Sequence, residues 1–328
     1  MKLTVTVITR NEAANIGAAL ESVAWADEII VVDSHSADDT VAIAKRYATR
    51  VEVRDWAGYS AQKNFAAGLA SNDWILSVDA DERVTPALAQ EVRALMQRGP
   101  DARGYRISRV TWYLGKWLHS TDWYPDYQLR LYDRRCGRWN TRRVHESFEL
   151  QGTPGVLRHH LEHYAYRDVS DHVTSIDHYT TLAAEQWMEE GRRTNTLELL
   201  VHPPIAFLRN YILRRGFRDG TAGLLVSALN SYYVFMKLVK LWEMQHCVGS
   251  ADNSPLAHRR AKFARTPNSF SIPSPSVSSP SVAGPEPRMP SAGPDRTPNP
   301  EPPPPREAPA GGPSAREAPA GKSNPTAK

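Results

Sequence analysis

Only two cysteines, Cys136 and Cys247, occur in 328 residues. No CxxC spacing accompanies them, which excludes a disulfide framework and a cysteine zinc site as the organising device. Scarce cysteine also fits a reducing compartment. The N-terminus, MKLTVTVITRNEA, has an apolar part too short for a secretory signal and reads as a strand, so a cytoplasmic location is expected. A long hydrophobic run is missing as well. Gly220–Met236 is uncharged but contains Thr221, Ser227, Asn230 and Ser231, so no spanning helix of ~20 mainly apolar residues is expected. Charge of one sign is not in excess: 40 Lys and Arg face 36 Asp and Glu, a net charge of +4 with pI near 9.0. That suits an anionic substrate or an anionic membrane surface and is too weak to indicate nucleic acid.

Proline is sparse where folding is expected. Six of the 25 prolines fall in the first 250 residues, and 19 fall after them. The last stretch, 251–328, is rich in Pro, Ser and Ala and holds REAPAG twice, at Arg306–Gly311 and Arg316–Gly321. Such composition buries too little apolar surface to offset chain entropy, so a disordered tail is expected. The alternative is a partner-binding proline-rich segment.

What is present is alternation. Leu3–Thr9 reads as a strand, with Asn11 as the cap of a helix reaching about Ala24. Glu28–Asp33 is a continuous apolar run, as a strand covered on both faces requires. A helix is expected over Asp38–Ala48, a strand over Arg50–Val53, and a helix over Ser60–Ala70. A strand over Trp74–Val78 and a helix from Pro86 to about Gln97 follow. This spacing predicts βαβ units around a mostly parallel sheet. Beyond Gly104, three segments rich in aromatics and arginine read as strands. From Val169 the chain reads helical, over Val169–Glu190, Pro204–Arg215 and Thr221–Glu243. The expected organisation is a catalytic α/β domain over 1–165, a helical region over 166–250, and the tail.

The stretch WILSVDADERV (Trp74–Val84) carries a buried-looking strand straight into Asp79, Asp81 and Glu82. In an open parallel sheet, ligands bind beyond the carboxyl ends of the strands. TRNE (Thr9–Glu12) and DSHSADDT (Asp33–Thr40) occupy the ends of two other strands, so three sets of polar residues converge on one rim. Hard cations such as Mg²⁺ or Mn²⁺ commonly take one or two carboxylates plus substrate phosphates. A bland alternative is a solvated turn whose acids meet a helix dipole.

The segments VITRNEAANI, EIIVVDSHSADDT, QKNFA and WILSVDADERV resemble the inverting family-2 glycosyltransferases of GT-A fold. Adding GYRISRVTWYLGKWL, YPDYQLRLYDRR and RRVHE, the chain is similar to the lipopolysaccharide-core β-1,4-glucosyltransferase group over about residues 1–245. The resemblance implies transfer of a hexose, glucose from UDP-glucose first among them, to a lipid-linked core sugar at the inner face of the membrane. A polyprenyl-phosphate or protein acceptor is the same-fold alternative, and a non-catalytic nucleotide-sugar-binding module is the alternative of another class. It also implies that Thr9, Arg10, Asn11 and Glu12 line the nucleotide pocket and that Asp33 accepts from base or ribose. Asp79 would meet ribose or metal-bound water, Asp81 would hold the metal, and Lys63 would approach the diphosphate.

An inverting transfer needs a base for the acceptor hydroxyl. Glu146 in RVHE is the preferred candidate and Asp126 in YPDYQ the other. The pattern departs from many family-2 enzymes, which carry the base in a Glu-Asp pair on a helix; none stands mid-chain. His145 is either a further metal ligand or a packed histidine. Arg130 is expected to reach phosphate with its fork or to sit at a sheet edge. Trp112, Tyr113, Trp117, Trp123 and Tyr124 could stack on acceptor sugars or pack the core. FLRNYILRRGFR (Phe207–Arg218) mixes aromatics and arginines as an interfacial helix does.

Overall fold

Branched apolar runs make the centre of the sheet. In the computed structural model, which describes residues 1–140 and 147–246, β1 (Leu3–Thr9), β2 (Glu28–Asp33), β3 (Arg50–Val53) and β4 (Trp74–Asp79) run parallel in the order β3-β2-β1-β4. Val5, Val7, Ile30, Val31, Ile75 and Leu76 are fully buried. Both faces of β1, β2 and β4 are covered, so β2 is an apolar run and even Thr4 and Thr6 of β1 are buried, while the edge strand β3 stays exposed or half-buried along its length. The helices α1 (Ile16–Ser22), α2 (Thr40–Ala44), α3 (Tyr59–Leu69) and α4 (Pro86–Arg98) cover them. On one face, Leu88, Val92 and Leu95 of α4 join Leu3, Leu20 and Leu76. On the other, Ala66 of α3 meets Ile30, Val32 and Ile75. The start of α4 is fixed locally: Thr85 Oγ1 accepts from the Leu88 amide at 3.2 Å and Pro86 occupies the first turn.

The second half of the sheet is mixed. It contains β5 (Glu82–Val84), β6 (Gly104–Tyr113), β7 (Lys116–Leu118), β8 (Asp126–Asp133) and β11 (Gly155–His163), while β9 (Gly137–Trp139) and β10 (Phe148–Leu150) form a separate ribbon. Strand β8 lies antiparallel between β4 and β6, β11 runs parallel to β6, and β5 runs antiparallel to β11. This is the GT-A arrangement of a sheet flanked by helices. Its parallel half is as expected, and its antiparallel seam comes from β8.

The helical region is α5 (Val169–Glu189), α6 (Thr196–Leu208) and α7 (Gly220–His246). Ala222 and Val226 of α7 pack on Tyr113 and Leu118 of the sheet half. A Cβ on Gly223 would stand 1.9 Å from the Gly216 carbonyl, so only glycine permits that close approach. Lys240 of α7 is buried, its Nζ donating to the Asp177 carboxylate at 2.8 Å, Thr180 at 2.8 Å and Thr181 at 2.7 Å.

Three expectations are corrected. Helix α6 begins at Thr196, not Pro204; Pro203 and Pro204 lie inside it, and a π-helical turn, Arg209–Leu213, follows. Two prolines suggest a boundary because each removes an amide. Packing of α6 on α7 overrides that local preference. Helix α1 begins at Ile16, and Asn11 is not its cap. The stretch Gly216–His246 is long and apolar enough to cross a membrane by length and composition, with mean hydropathy 1.3; the buried core helix of a soluble domain meets the same test.

Candidate active site

Strand register levels the polar ends. Thr9 pairs with Asp33 and Ile8 with Asp79, so the carboxyl ends of β1, β2 and β4 stand side by side. The loops after β1 and β2 are then laced together. The buried Asp33 accepts from the Ser36 amide at 2.8 Å and from the Ser36 hydroxyl. The Asn11 amide donates to Ser36 Oγ at 2.8 Å, and Asn11 Oδ1 accepts from the Ala37 amide at 2.7 Å. Asn11 has φ 54°, a left-handed conformation that asparagine tolerates. It is therefore a tie between loops. The Glu12 amide donates to Thr40 Oγ1 at 2.7 Å, and the Ala13 amide to Asp38 at 3.1 Å. Thr9 and Glu12 are buried and Arg10 is half-buried. Asp33 keeps acceptor capacity beyond its turn, since an ionised carboxylate offers about four lone-pair sites.

Behind the rim lies a charge network. Arg130 Nη2 meets Asp79 Oδ2 at 2.5 Å and Glu82 Oε1 at 2.6 Å. Arg109 Nη1 meets the same Glu82 oxygen at 3.1 Å, and its Nε donates to Asp126 Oδ2 at 2.7 Å. Gln128 donates to the other Asp126 oxygen at 2.7 Å. Lys63 Nζ stands 3.2 Å from Asp79 Oδ1 and 4.6 Å from the centre of the Trp139 ring. Burial would raise the Asp79 pKa, yet the charges of Arg130 and Lys63 outweigh it and hold that carboxyl far below the usual range. For Asp126 the same contest between burial and Arg109 also ends below the ordinary value. Arg130 is thus occupied by two carboxylates rather than held open for a phosphate, and Asp126 has both oxygens engaged.

Removing one member of such a network strands its partners. Arg109→Leu is expected to destabilise the fold by about 3–5 kcal/mol in urea titration, because Asp126 loses its cation in a buried site. The Asp126 pKa is lower folded than unfolded. Its stabilisation is therefore complete above about pH 4 and is lost as pH falls through the folded value. The variant should lack that part of the acid limb. A loss below about 1 kcal/mol, the range of an exposed pair, would show that water replaces the guanidinium.

Asp81 is placed differently. It is buried, and its Oδ2 lies 3.5 Å from Nε2 of the buried His163. Strand pairing sets this contact, since His163 of β11 is the register partner of Glu82. The Tyr164 amide donates to the Asp81 carbonyl at 2.9 Å. His163 Nδ1 faces Thr111 Oγ1 at 3.4 Å, and its Nε2 is buried without a hydrogen-bond partner. A carboxylate oxygen beside an imidazole nitrogen short of a partner fits a divalent ion such as Mn²⁺. Among the described residues no group of three or more His, Cys, Asp or Glu side chains is gathered for a metal. A divalent ion held by these two side chains would need its other ligands from outside them, as phosphate and water commonly supply.

His145 and Glu146 lie outside the described residues, as does the tail. The sequence reading missed His163 and Arg109, and it gave no role to Glu82 or Gln62 although both stand in the motifs it singled out. Gln62 is fully buried and its amide donates to Ser34 Oγ at 2.9 Å and to the Asp55 carbonyl at 3.1 Å. Its neighbour Asn64 exchanges two 3.0 Å hydrogen bonds with the Trp139 backbone. The QKN motif therefore anchors β9, from which the sequence continues to His145 and Glu146. Of the aromatic concentration, Tyr113 and Trp123 pack against α7. Trp112 and Trp117 remain half-buried with ring centres 5.1 Å apart.

Residues 4–160, the span that supplies the whole rim, match glycosyl transferase family 2. The lipopolysaccharide core biosynthesis glycosyltransferase LpsC of Rhizobium meliloti (strain 1021) is 30% identical over 260 residues, covering 77% of this chain and 96% of its own. The chain belongs to glycosyl transferase family 2. An uncharacterised glycosyltransferase of Rickettsia felis is 32% identical over 260 residues, covering 74% of this chain and 90% of its own. Among solved structures, S. aureus TarS 1–349 in complex with UDP-GlcNAc aligns with a TM-score of 0.41 at 14% identity, covering 77% of this chain and 93% of its own. A family-2 glycosyltransferase takes a nucleotide-sugar donor. In this one, the laced loops after β1 and β2 and the acidic end of β4 form the rim where a parallel sheet presents its ligand.

Proposed function

We propose that this family-2 glycosyltransferase transfers a hexose, glucose from UDP-glucose in the first instance, to a lipid-linked lipopolysaccharide core sugar with inversion. The observation that carries the reading is the register that levels Asp33 with Asp79 beside Lys63, with Asp81 two residues further on against His163. Likeness to LpsC over nearly all of that relative's length supports the core-sugar acceptor.

Each residue then has a task that its chemistry allows. Thr9, Arg10, Asn11 and Glu12 line the nucleotide side. Asp33 accepts from the uracil N–H or a ribose hydroxyl, both of which are donors. Asp79 orients ribose while Lys63, held beside it, directs its charge to the diphosphate. Asp81 and His163 hold Mg²⁺ or Mn²⁺, which when bound supplies Lewis-acid neutralisation of the departing nucleoside diphosphate. The acceptor hydroxyl oxygen bonds to the anomeric carbon as the bond to the diphosphate oxygen breaks. Glu146 takes the hydroxyl proton. Asp126 is a poorer acceptor because Arg109 and Gln128 occupy it and hold its proton affinity low.

A donor panel tests the reading. With Mn²⁺ present, UDP-glucose is expected to raise the melting temperature most among UDP-hexoses, as a ligand specific for the folded state does. Labelled glucose should then appear on a truncated core lipid. Transfer only to a polyprenyl phosphate, or a larger shift with a guanosine-linked sugar, would overturn the assignment.

A further inference from the structure

Helix α6 breaks the rule that the outer face of a surface helix is polar. Its buried positions, Pro203 and Ala206, continue to Asn210 in the following turn. On the outward side Leu197, Val201, Ile205, Leu208 and Ile212 recur three to four residues apart, and all are exposed. Leu197 and Leu200 are each 68% exposed and Leu213 is 76% exposed. From Leu197 to Leu213 this stripe is about 24 Å long at 1.5 Å per residue. Within α6 the only acid is Glu198, in the first turn.

The stripe is bounded by arginine at both ends. Arg192 and Arg193 precede it and are exposed; Arg214, Arg215 and Arg218 follow and are exposed too. The acids at the second end point inward. Asp122 is buried under Arg209 and Arg214, with the Arg214 contact at 3.5 Å, and Asp219 is buried against Ser120. At the first end Arg192 and Arg193 stand beside the exposed Glu189 and Glu190, and Arg192 lies 3.9 Å from Glu198, so the outward surface is apolar in the middle and cationic at the second end.

We infer that this face docks on an anionic lipid bilayer, with α6 lying in the interfacial plane. Leucine and isoleucine enter the acyl boundary, and the arginines meet headgroup phosphates. A second copy of the chain is a poor occupant. Stripe on stripe in parallel sets Arg214, Arg215 and Arg218 against their own copies. The antiparallel orientation offers them only the mixed charges of Glu189, Glu190, Arg192 and Arg193, whereas anionic headgroups complement them directly. A spanning role for α7 is equally disfavoured, because Lys240 is tied to Asp177, Thr180 and Thr181 of α5. The inference needs only this surface and holds whatever the acceptor sugar proves to be.

The test is flotation of the full chain with vesicles of phosphatidylcholine alone and of an equimolar phosphatidylcholine–phosphatidylglycerol mixture. Binding is expected to the anionic vesicles and to be reversed by high salt. The variant Leu197→Ser/Leu200→Ser/Ile205→Ser changes only exposed side chains, and Arg215→Gln/Arg218→Gln removes charge alone. Each is expected to keep its circular dichroism spectrum and to partition on the order of tenfold more weakly. Equal binding to both vesicle types, or unchanged binding by both variants, overturns the proposal. So does resistance to high salt and alkaline carbonate, which would mark a spanning helix. A concentration-dependent dimer that the leucine variant abolishes, without vesicle binding, would make the face a self-interface instead.

Discussion

Asp81→Ala is expected to lower sugar transfer by about a thousandfold, since ~4 kcal/mol of lost transition-state charge stabilisation corresponds to three factors of ten. The proposed metal site has two protein donors, Asp81 and His163, so loss of the carboxylate leaves a lone imidazole. Mn²⁺ should also cease to raise the melting temperature in the presence of UDP, a readout independent of turnover. The metal-free protein should still unfold cooperatively, because the backbone tie from the Tyr164 amide to the Asp81 carbonyl survives the substitution. His163→Ala should weaken the Mn²⁺ response in the same direction. Wild-type turnover by Asp81→Ala, or wild-type protein indifferent to excess EDTA, would remove Asp81 from this role.

The second large effect concerns the proton. Glu146→Gln keeps shape and hydrogen bonding but loses proton affinity, and turnover should fall by roughly 10²–10⁴-fold, the span of general-base loss. Donor affinity should hold, because the base acts on the acceptor and chiefly in the transition state. Asp126→Asn should show the converse pattern: a smaller change in turnover and a larger loss of stability, because Asp126 anchors Arg109 through two donor nitrogens. If Asp126→Asn silences transfer while Glu146→Gln stays active, the assignment reverses. If Glu146→Gln instead weakens binding of the donor, the VHE segment belongs to the diphosphate side.

What could be read from the chain was what local pattern determines. EIIVVD and WILSVD announce themselves as strands because a strand covered on both faces is largely apolar; β2 ends where expected and β4 one residue later, at Asp79. The rim acids could be named because they close those runs. What could not be read depends on pairing between distant segments. His163 lies 82 residues after Asp81, and only the antiparallel match of β11 with β5 joins them. The three residues of β5 are too short and too charged to signal a strand. Arg109 reads as one of many arginines until β6 lies beside β8 and sets it opposite Asp126. Asn11 looked like a helix cap because its side chain favours that role, yet a tertiary bond to the Ala37 amide claims it. The start of α6 was misplaced for the opposite reason: Pro203 and Pro204 send a strong local signal that packing overrules.

The network behind the rim has an evolutionary consequence. Asp126, Arg109, Glu82, Arg130 and Asp79 touch in sequence, so substitutions among them should be strongly non-additive. Any single change passes through an intermediate with a stranded buried charge, although replacing the whole set by apolar residues could be nearly neutral. Stepwise drift cannot easily cross that valley. Descendants of this chain should therefore hold these five positions as a block, and diversify their choice of sugar and acceptor through residues outside it.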